Sequence, residues 1–178
     1  MTMYARVGSP LGELLLVGER PAGAAGAASG VALVSLSLPG QKGGSTVQDG
    51  WLHTPEAFAG IAGQLAAYFE GRLTRFDIAY ADGVGTDFQR RVWKALDAIP
   101  YGETVSYGQV AEQVGSPGPG VRAVGTAIGR NPLLIVRPCH RVIGADGALR
   151  GYAGGLERKK QLLGLEGAPA AGPGRVAG

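Results

Sequence analysis

A chain of 178 residues, 45% of them hydrophobic, can bury the core of one domain or of two small ones. Its formal charge of +3 permits contact with nucleic acid without demonstrating it, and no apolar run reaches the length of a membrane-spanning helix or of a secretory signal. One cysteine excludes an internal disulfide and a cysteine-rich zinc site, and two histidines leave little for another metal, so the expected setting is a reducing cytoplasm with no bound metal.

Residues 4–7 and 13–17 read as strands joined by Ser9-Pro10-Leu11-Gly12, with proline second and glycine fourth in the turn, which predicts a hairpin. Residues 21–30 are almost entirely Ala and Gly and read as a flexible insertion, followed by a third strand over 31–38 and a polar, Gly-rich loop over 40–50. Thr54-Pro55 offers an N-cap and a proline at the first helical position, after which Phe58, Ile61, Leu65, Tyr68 and Phe69 share one helical face as far as Gly71. A last strand over 76–80 would complete a small α+β domain, 1–82, in which Glu56, Glu70 and Asp77 read as surface carboxylates and His53 as a loop histidine. A second domain is expected over 83–168 and a flexible tail over 169–178.

The second domain opens with Thr86-Asp87-Phe88-Gln89, a capping box, and the apolar stripe Phe88, Val92, Leu96 and Ile99 continues as a helix that stops at Pro100. Ser106-Tyr107-Gly108-Gln109 is another capping box, and a Gly-Pro turn over 115–120 leads to a further helix, so the pair is a helix-turn-helix candidate. In the later helix Val121, Val124 and Ile128 form the buried stripe, and the other face offers Arg122, Gly125, Thr126 and Gly129. Mid-helix glycine is costly, so something must approach that backbone closely; a nucleic-acid duplex and tight packing inside the domain both fit.

The lone thiol is the strongest chemical signal. Residues 133–136 read as a buried strand that Pro138 ends, presenting Cys139 beside His140 with Arg137 and Arg141 close by. A thiol attacks only as thiolate, and a histidine with two arginines suits that; the alternative is a small buried hydrophobe. Gly144-Ala145-Asp146-Gly147 is a turn, residues 151–155 a flexible loop and 156–165 a final helix stopped by Gly167. Lys159 and Glu166 lie two turns apart on one side of that helix.

These residues resemble a known family, the O6-alkylguanine-DNA alkyltransferases, also called methylated-DNA-protein-cysteine methyltransferases. The resemblance runs through Gly85-Thr86-Asp87-Phe88-Gln89, Val92-Trp93, Ile99-Pro100-Tyr101-Gly102-Glu103-Thr104-Val105-Ser106-Tyr107, Arg122-Ala123-Val124-Gly125, Asn131-Pro132, Pro138-Cys139-His140-Arg141-Val142, Gly151-Tyr152-Ala153-Gly154-Gly155 and Leu162-Leu163 to Glu166. It covers nearly the whole C-terminal half, in order, and the N-terminal half more loosely.

The resemblance implies an α+β protein: a small N-terminal antiparallel sheet plus helix, ribonuclease-H-like, then a mainly helical domain with a winged-helix-like helix-turn-helix. It implies that Cys139 takes the alkyl group from O6 of guanine in double-stranded DNA, that His140 draws the thiol proton through water, that Glu166 orients His140, and that Asn131 braces the turn. Tyr107 would contact the flipped nucleotide, while Val142, Tyr152, Ala153, Gly154, Gly155 and Lys159 line the substrate site. Arg122, with Ala123, Gly125, Thr126 and Arg141, would meet DNA, the arginine filling the space the extruded base leaves. The thioether has no easy hydrolytic exit, so the protein would act once, as a monomer, without cofactor, membrane or obligate protein partner.

Three departures from the family pattern stand out: Arg137 where an apolar residue is usual, the longer turn Pro117-Gly118-Pro119-Gly120, and the absence of the N-terminal zinc ligands of some relatives. Arg137 has two readings, a guanidinium beside the thiol that favours thiolate or a long side chain turned outward to phosphate or solvent. Rival functions are a non-catalytic lesion-binding protein, against which Cys139 argues, and a Cys-His hydrolase with repeated turnover. A plain helix-turn-helix regulator would need more base-reading side chains than Arg122 and Thr126.

Overall fold

The computed structural model describes residues 1–20 and 30–168. The insertion expected over 21–30 falls, apart from Gly30, outside the described residues, as does the tail expected over 169–178. The chain divides into two compact units, Met1–Val84 and a second that begins at Gly85.

In the first unit, β1 (Thr2–Ser9) and β2 (Gly12–Glu19) form an antiparallel hairpin that closes with Ser9 opposite Gly12, and β3 (Ala32–Ser37) pairs antiparallel with β2. The expected antiparallel sheet gains a strand: β4 (Leu52–His53) lies parallel to β1, so His53 is a strand residue and the order is β3-β2-β1-β4. The strand expected over 76–80 shrinks to a bridge between Leu33 and Tyr80: Leu33 bonds with Ala79 O and Ala81 N, while the backbone of Asp77 is taken by the Gln64 side chain. α1 (Ala59–Phe69) packs on β1 and buries Ile61, Leu65 and Tyr68, with Phe58 buried just ahead of it. Thr54 does not cap it. Its amide donates to Tyr4 O in the sheet, and Pro55–Phe58 winds as a 3-10 turn before the α-helix begins.

The second unit is mainly helical, and two of its helices start where the chain itself supplies caps. α2 (Asp87–Asp97) and α3 (Tyr107–Gln113) both carry complete capping boxes: Gln89 N donates to Thr86 Oγ1 at 3.1 Å and Thr86 N to Gln89 Oε1 at 2.9 Å, while Gln109 and Ser106 repeat this at 3.1 and 2.8 Å. Val92 and Leu96 of α2 are wholly buried, each contributing about 1.5–3 kcal/mol. A 3-10 turn, Gly118–Gly120, leads into α4 (Val121–Gly129). Trp93 ties α2 to α4, its indole N–H donating to Ala127 O at 2.8 Å. Gly85 must be glycine for this: at φ 84° a Cβ would stand 2.5 Å from the Trp93 ring.

A short parallel pair, β5 (Val105–Ser106) with β6 (Val142–Ile143), joins the residue that caps α3 to the residues that follow Cys139, and nothing in the sequence pattern announces it. α5 (Leu156–Leu165) ends in a Schellman turn, with Gly167 N donating to Gly164 O at 3.1 Å and Ala168 N to Leu163 O at 3.0 Å. Ala168 then packs with Leu163 and Ile143, which leaves Glu166 at the buried end of the helix. Among the described residues no helix is long and apolar enough to cross a membrane.

Gly167 holds a φ of 66°, so Gly167→Ala forces a side chain into the left-handed region at an expected cost of about 1–2 kcal/mol. The thermal midpoint followed by circular dichroism is expected to fall; an unchanged midpoint would show that the turn closes without glycine.

Candidate active site

Cys139 sits in a tight turn, which corrects the strand expected over 133–136. That segment is buried as expected, but Asn131 folds it back on itself: its amide group donates to Arg137 O at 3.1 Å and Leu133 O at 3.4 Å and accepts from Leu133 N at 3.0 Å. Arg137 N donates to Leu133 O, Val136 N to Leu134 O and Cys139 N to Arg137 O, the last at 2.7 Å across Pro138. Ile135 has a φ of 71°, alone among the described non-glycine residues, and such a conformation costs on the order of 1–3 kcal/mol and persists only where its surroundings fix it. Cys139 itself is buried and starts a 3-10 turn, Cys139–Arg141.

Burial dominates the chemistry of the thiol. It pushes Cys139 up to about 11, against the weaker opposing effects of an Asn131 hydrogen bond and the charges of Lys159 and Arg137. Burial thus outweighs the positive surroundings that the sequence suggests, and each flanking guanidinium also faces a carboxylate. Arg137 Nε lies 3.3 Å from Asp97 Oδ1, and Arg141 donates from Nε to Glu166 Oε1 at 2.7 Å and from Nη2 to Glu166 Oε2 at 3.0 Å. Arg141 Nη1 donates to Ile99 O at 2.6 Å, so this side chain, expected on the DNA face, is buried inside the unit.

His140 is also buried, and its Nε2 stands 2.8 Å from Glu166 Oε2. Burial pushes its pKa down, outweighing the opposite pull of Glu166, so the ring is neutral at pH 7. With a carboxylate accepting from Nε2, the proton resides there and Nδ1 is the acceptor. Nδ1 is buried and meets no donor of the protein.

Tyr107 and Lys159, from two different helices, come close enough to the thiol to feel its charge. Tyr107, the first residue of α3, is half-buried and close enough for Cys139 charge to reinforce the upward push that burial gives its hydroxyl. Lys159 of α5, expected to touch substrate, is wholly buried: its ammonium donates to Val142 O at 2.6 Å and Gly151 O at 3.2 Å and lies 5.9 Å from the Tyr107 ring centroid. Burial lowers its pKa to about 8, which leaves it charged at neutral pH. Tyr152 and Ala153 are half-buried, Gly154 is buried and Gly155 is exposed, in a loop closed by Gly155 N to Tyr152 O at 2.9 Å and bound to α5 through Lys159 N to Gly155 O at 3.1 Å.

On α4, Arg122, Ala123 and Thr126 are exposed. A Cβ on Gly125 would meet Tyr107 only at an ordinary 3.9 Å, and one on Gly129 would meet nothing, so internal packing does not demand either glycine. Trp93 and Asp97, one helical turn apart on one face of α2, are partners of Arg137 that no local sequence pattern pairs with it. Among the described residues no three His, Cys, Asp or Glu side chains converge to hold a metal ion.

Residues 87–168 match the sequence model described as the DNA-binding domain of 6-O-methylguanine DNA methyltransferase. The chain is 52% identical over 166 residues to the methylated-DNA–protein-cysteine methyltransferase of Mycolicibacterium paratuberculosis, covering 93% of both. It is 46% identical over 164 residues to the protein of the same name from Methanosarcina acetivorans, covering 92% of this chain and 97% of the relative. A crystal structure of Mycobacterium tuberculosis OGT in complex with DNA is similar with a TM-score of 0.78 at 50% identity, over 95% of this chain and 96% of that one.

A thiol held near 11 fixes the pH dependence of its reactivity. The rate of Cys139 alkylation by iodoacetamide without DNA is expected to rise about tenfold per pH unit from pH 7 to 10 and to level off only near 11. A plateau at the value of an ordinary thiol would show that Cys139 is not desolvated.

Proposed function

Because the chain belongs to the methylated-DNA–protein-cysteine methyltransferases, we propose that Cys139 accepts the alkyl group of O6-alkylguanine flipped out of duplex DNA and keeps it. The protein performs direct-reversal DNA repair, one lesion per molecule. The observation that carries this reading is the buried thiol next to a neutral histidine whose Nε2 is held by Glu166 and whose Nδ1 is left to accept a proton.

A water between Cys139 Sγ and His140 Nδ1 relays the thiol proton to the imidazole while Sγ bonds the alkyl carbon. The bond from that carbon to O6 breaks, its electron pair stays on the base, the O6 carbonyl is restored and the proton passes to a guanine ring nitrogen. Thiol and alkylguanine thus become thioether and guanine, with no cofactor. Asn131 keeps the turn in place, and Lys159 stiffens the pocket wall through Val142 O and Gly151 O.

The exposed face of α4 enters the minor groove, where Ala123, Gly125 and Thr126 allow close approach and Arg122 occupies the space of the flipped base. Tyr107 contacts the flipped nucleotide, and Val142 with Tyr152, Ala153, Gly154 and Gly155 lines the alkyl pocket. A ribonuclease-H-like first domain and a winged-helix-like second, with α3 and α4 as its helix-turn-helix, belong to the same reading, as does a monomer acting in the cytoplasm.

Incubation with an O6-methylguanine duplex is expected to add one CH2 unit to the intact mass, mapped to Cys139, and the reaction should stop at one event per molecule. Repeated turnover would instead make the protein a hydrolase. Cys139→Ala should keep duplex affinity and lose transfer, while His140→Ala should slow transfer by about 10²–10⁴-fold. Arg122→Ala should impair repair of duplex far more than reaction with free O6-benzylguanine; equal losses would place Arg122 elsewhere in the mechanism.

A further inference from the structure

Arg137 lies two residues before the thiol, and the fold surrounds it with partners suited to a guanidinium. Its side chain is almost fully enclosed, with Nε 3.3 Å from Asp97 Oδ1 and Cζ 5.2 Å from the Trp93 ring centroid. Its backbone is the hub of the thiol turn: the carbonyl accepts from both Cys139 N and Asn131 Nδ2, and the amide donates to Leu133 O. Trp93 in turn holds α4 through Ala127 O. One residue therefore fastens the Cys139 turn to α2, and through a single ring to the helix that bears Arg122.

We propose that Arg137 is a positioning residue for the transfer reaction, clamped by Asp97 and Trp93 so that the turn presenting Cys139 keeps its place against α2. The proposal rests on the alkyl-transfer reading above. Neither role weighed from the sequence is favoured by the geometry: the charge of Arg137 is the weakest of the effects opposing burial of the thiol, and its side chain is only 11% exposed. An indole and a carboxylate already occupy the guanidinium, which leaves little of it for a phosphate, and Asp97, at hydrogen-bond distance, offsets part of the charge that favours thiolate. Lysine would keep the charge but lose the planar face that lies on Trp93.

The test is Arg137→Met, with Arg137→Lys and Asp97→Asn beside it, at a temperature where circular dichroism shows each folded. The first-order transfer constant on saturating O6-methylguanine duplex is expected to fall about 10- to 100-fold in Arg137→Met, and only part of this should return in Arg137→Lys. Duplex affinity and its salt slope should stay within about twofold of the unaltered protein, since they rest on phosphate contacts elsewhere.

The iodoacetamide profile without DNA separates the possibilities by sign. A loosened turn admits water to the thiol, so the midpoint in Arg137→Met should drop from about 11 towards an ordinary thiol. A rise would mean that the guanidinium acts on the thiol directly by its charge, and no change together with an unaltered transfer constant would mean that it only stabilises the fold; either result overturns the proposal. A shallower salt slope would also overturn it, in favour of a phosphate contact. If Arg137→Met does not fold, Asp97→Asn decides, because it releases one anchor and leaves the guanidinium on Trp93; the same downward shift and slower transfer are expected at smaller size. Should the unaltered protein transfer no methyl group, the reading of its function fails, and the iodoacetamide profiles still test the clamp.

Discussion

The fold of the second unit is arranged around a carboxylate taken wholly out of water. Glu166 has no exposed side-chain surface, and a bare charge in that position is tolerated only when donors replace the lost hydration. Three do: Arg141 Nε and Nη2 form a fork on it, and His140 Nε2 supplies the third. Removing one partner from such a buried pair costs about 3–5 kcal/mol, because the other charge is left uncompensated. The Schellman turn at Gly167 ends α5 where this carboxylate points inward. The same three contacts decide the tautomer of His140, and so which of its nitrogens faces the chemistry.

Burial, helped by local charge balance, keeps a thiol surrounded by cations in its protonated form. Arg137 and Arg141 each have a carboxylate at hydrogen-bond distance, and the charged Lys159 is partly offset by two carbonyls and outweighed by burial of the sulfur. With a thiol near 11, only about 10⁻⁴ of it is thiolate at pH 7. Stray electrophiles in solution therefore find almost no thiolate. The nearby neutral imidazole keeps one buried nitrogen, Nδ1, without a hydrogen-bond partner in the protein.

The turn that carries Cys139 has no sheet ladder to hold it, so side chains take that part. Asn131 satisfies the backbone of Leu133 and Arg137, Ile135 holds a positive φ within the core, and the short β5-β6 pair secures the residues just after the 3-10 turn. Because β5 also caps α3, Tyr107 arrives beside the thiol from the same junction. Nucleophile, histidine and tyrosine are thus registered by backbone pairing, while α4 displays Arg122 on a face of small residues.

Sequence by itself determined the parts whose cause is local. The capping boxes at Thr86 and Ser106, the glycine stop at Gly167, the hairpin at Ser9–Gly12 and the juxtaposition of Cys139 with His140 each lie within a few residues of the groups they govern. Residues 133–136 were legible as buried but not as a turn, because four apolar residues fit a buried strand equally well and the deciding hydrogen bonds come from the Asn131 side chain. Thr54 does stand before Pro55 at a helical start, but the segment winds first as a 3-10 turn and the Thr54 hydroxyl takes none of its amides. Only the tertiary structure decided the protonation of the thiol and the fate of its arginines. Burial depends on every element packed around Cys139, and the carboxylates that offset Arg137 and Arg141 lie 40 and 25 residues away along the chain, out of reach of any local pattern.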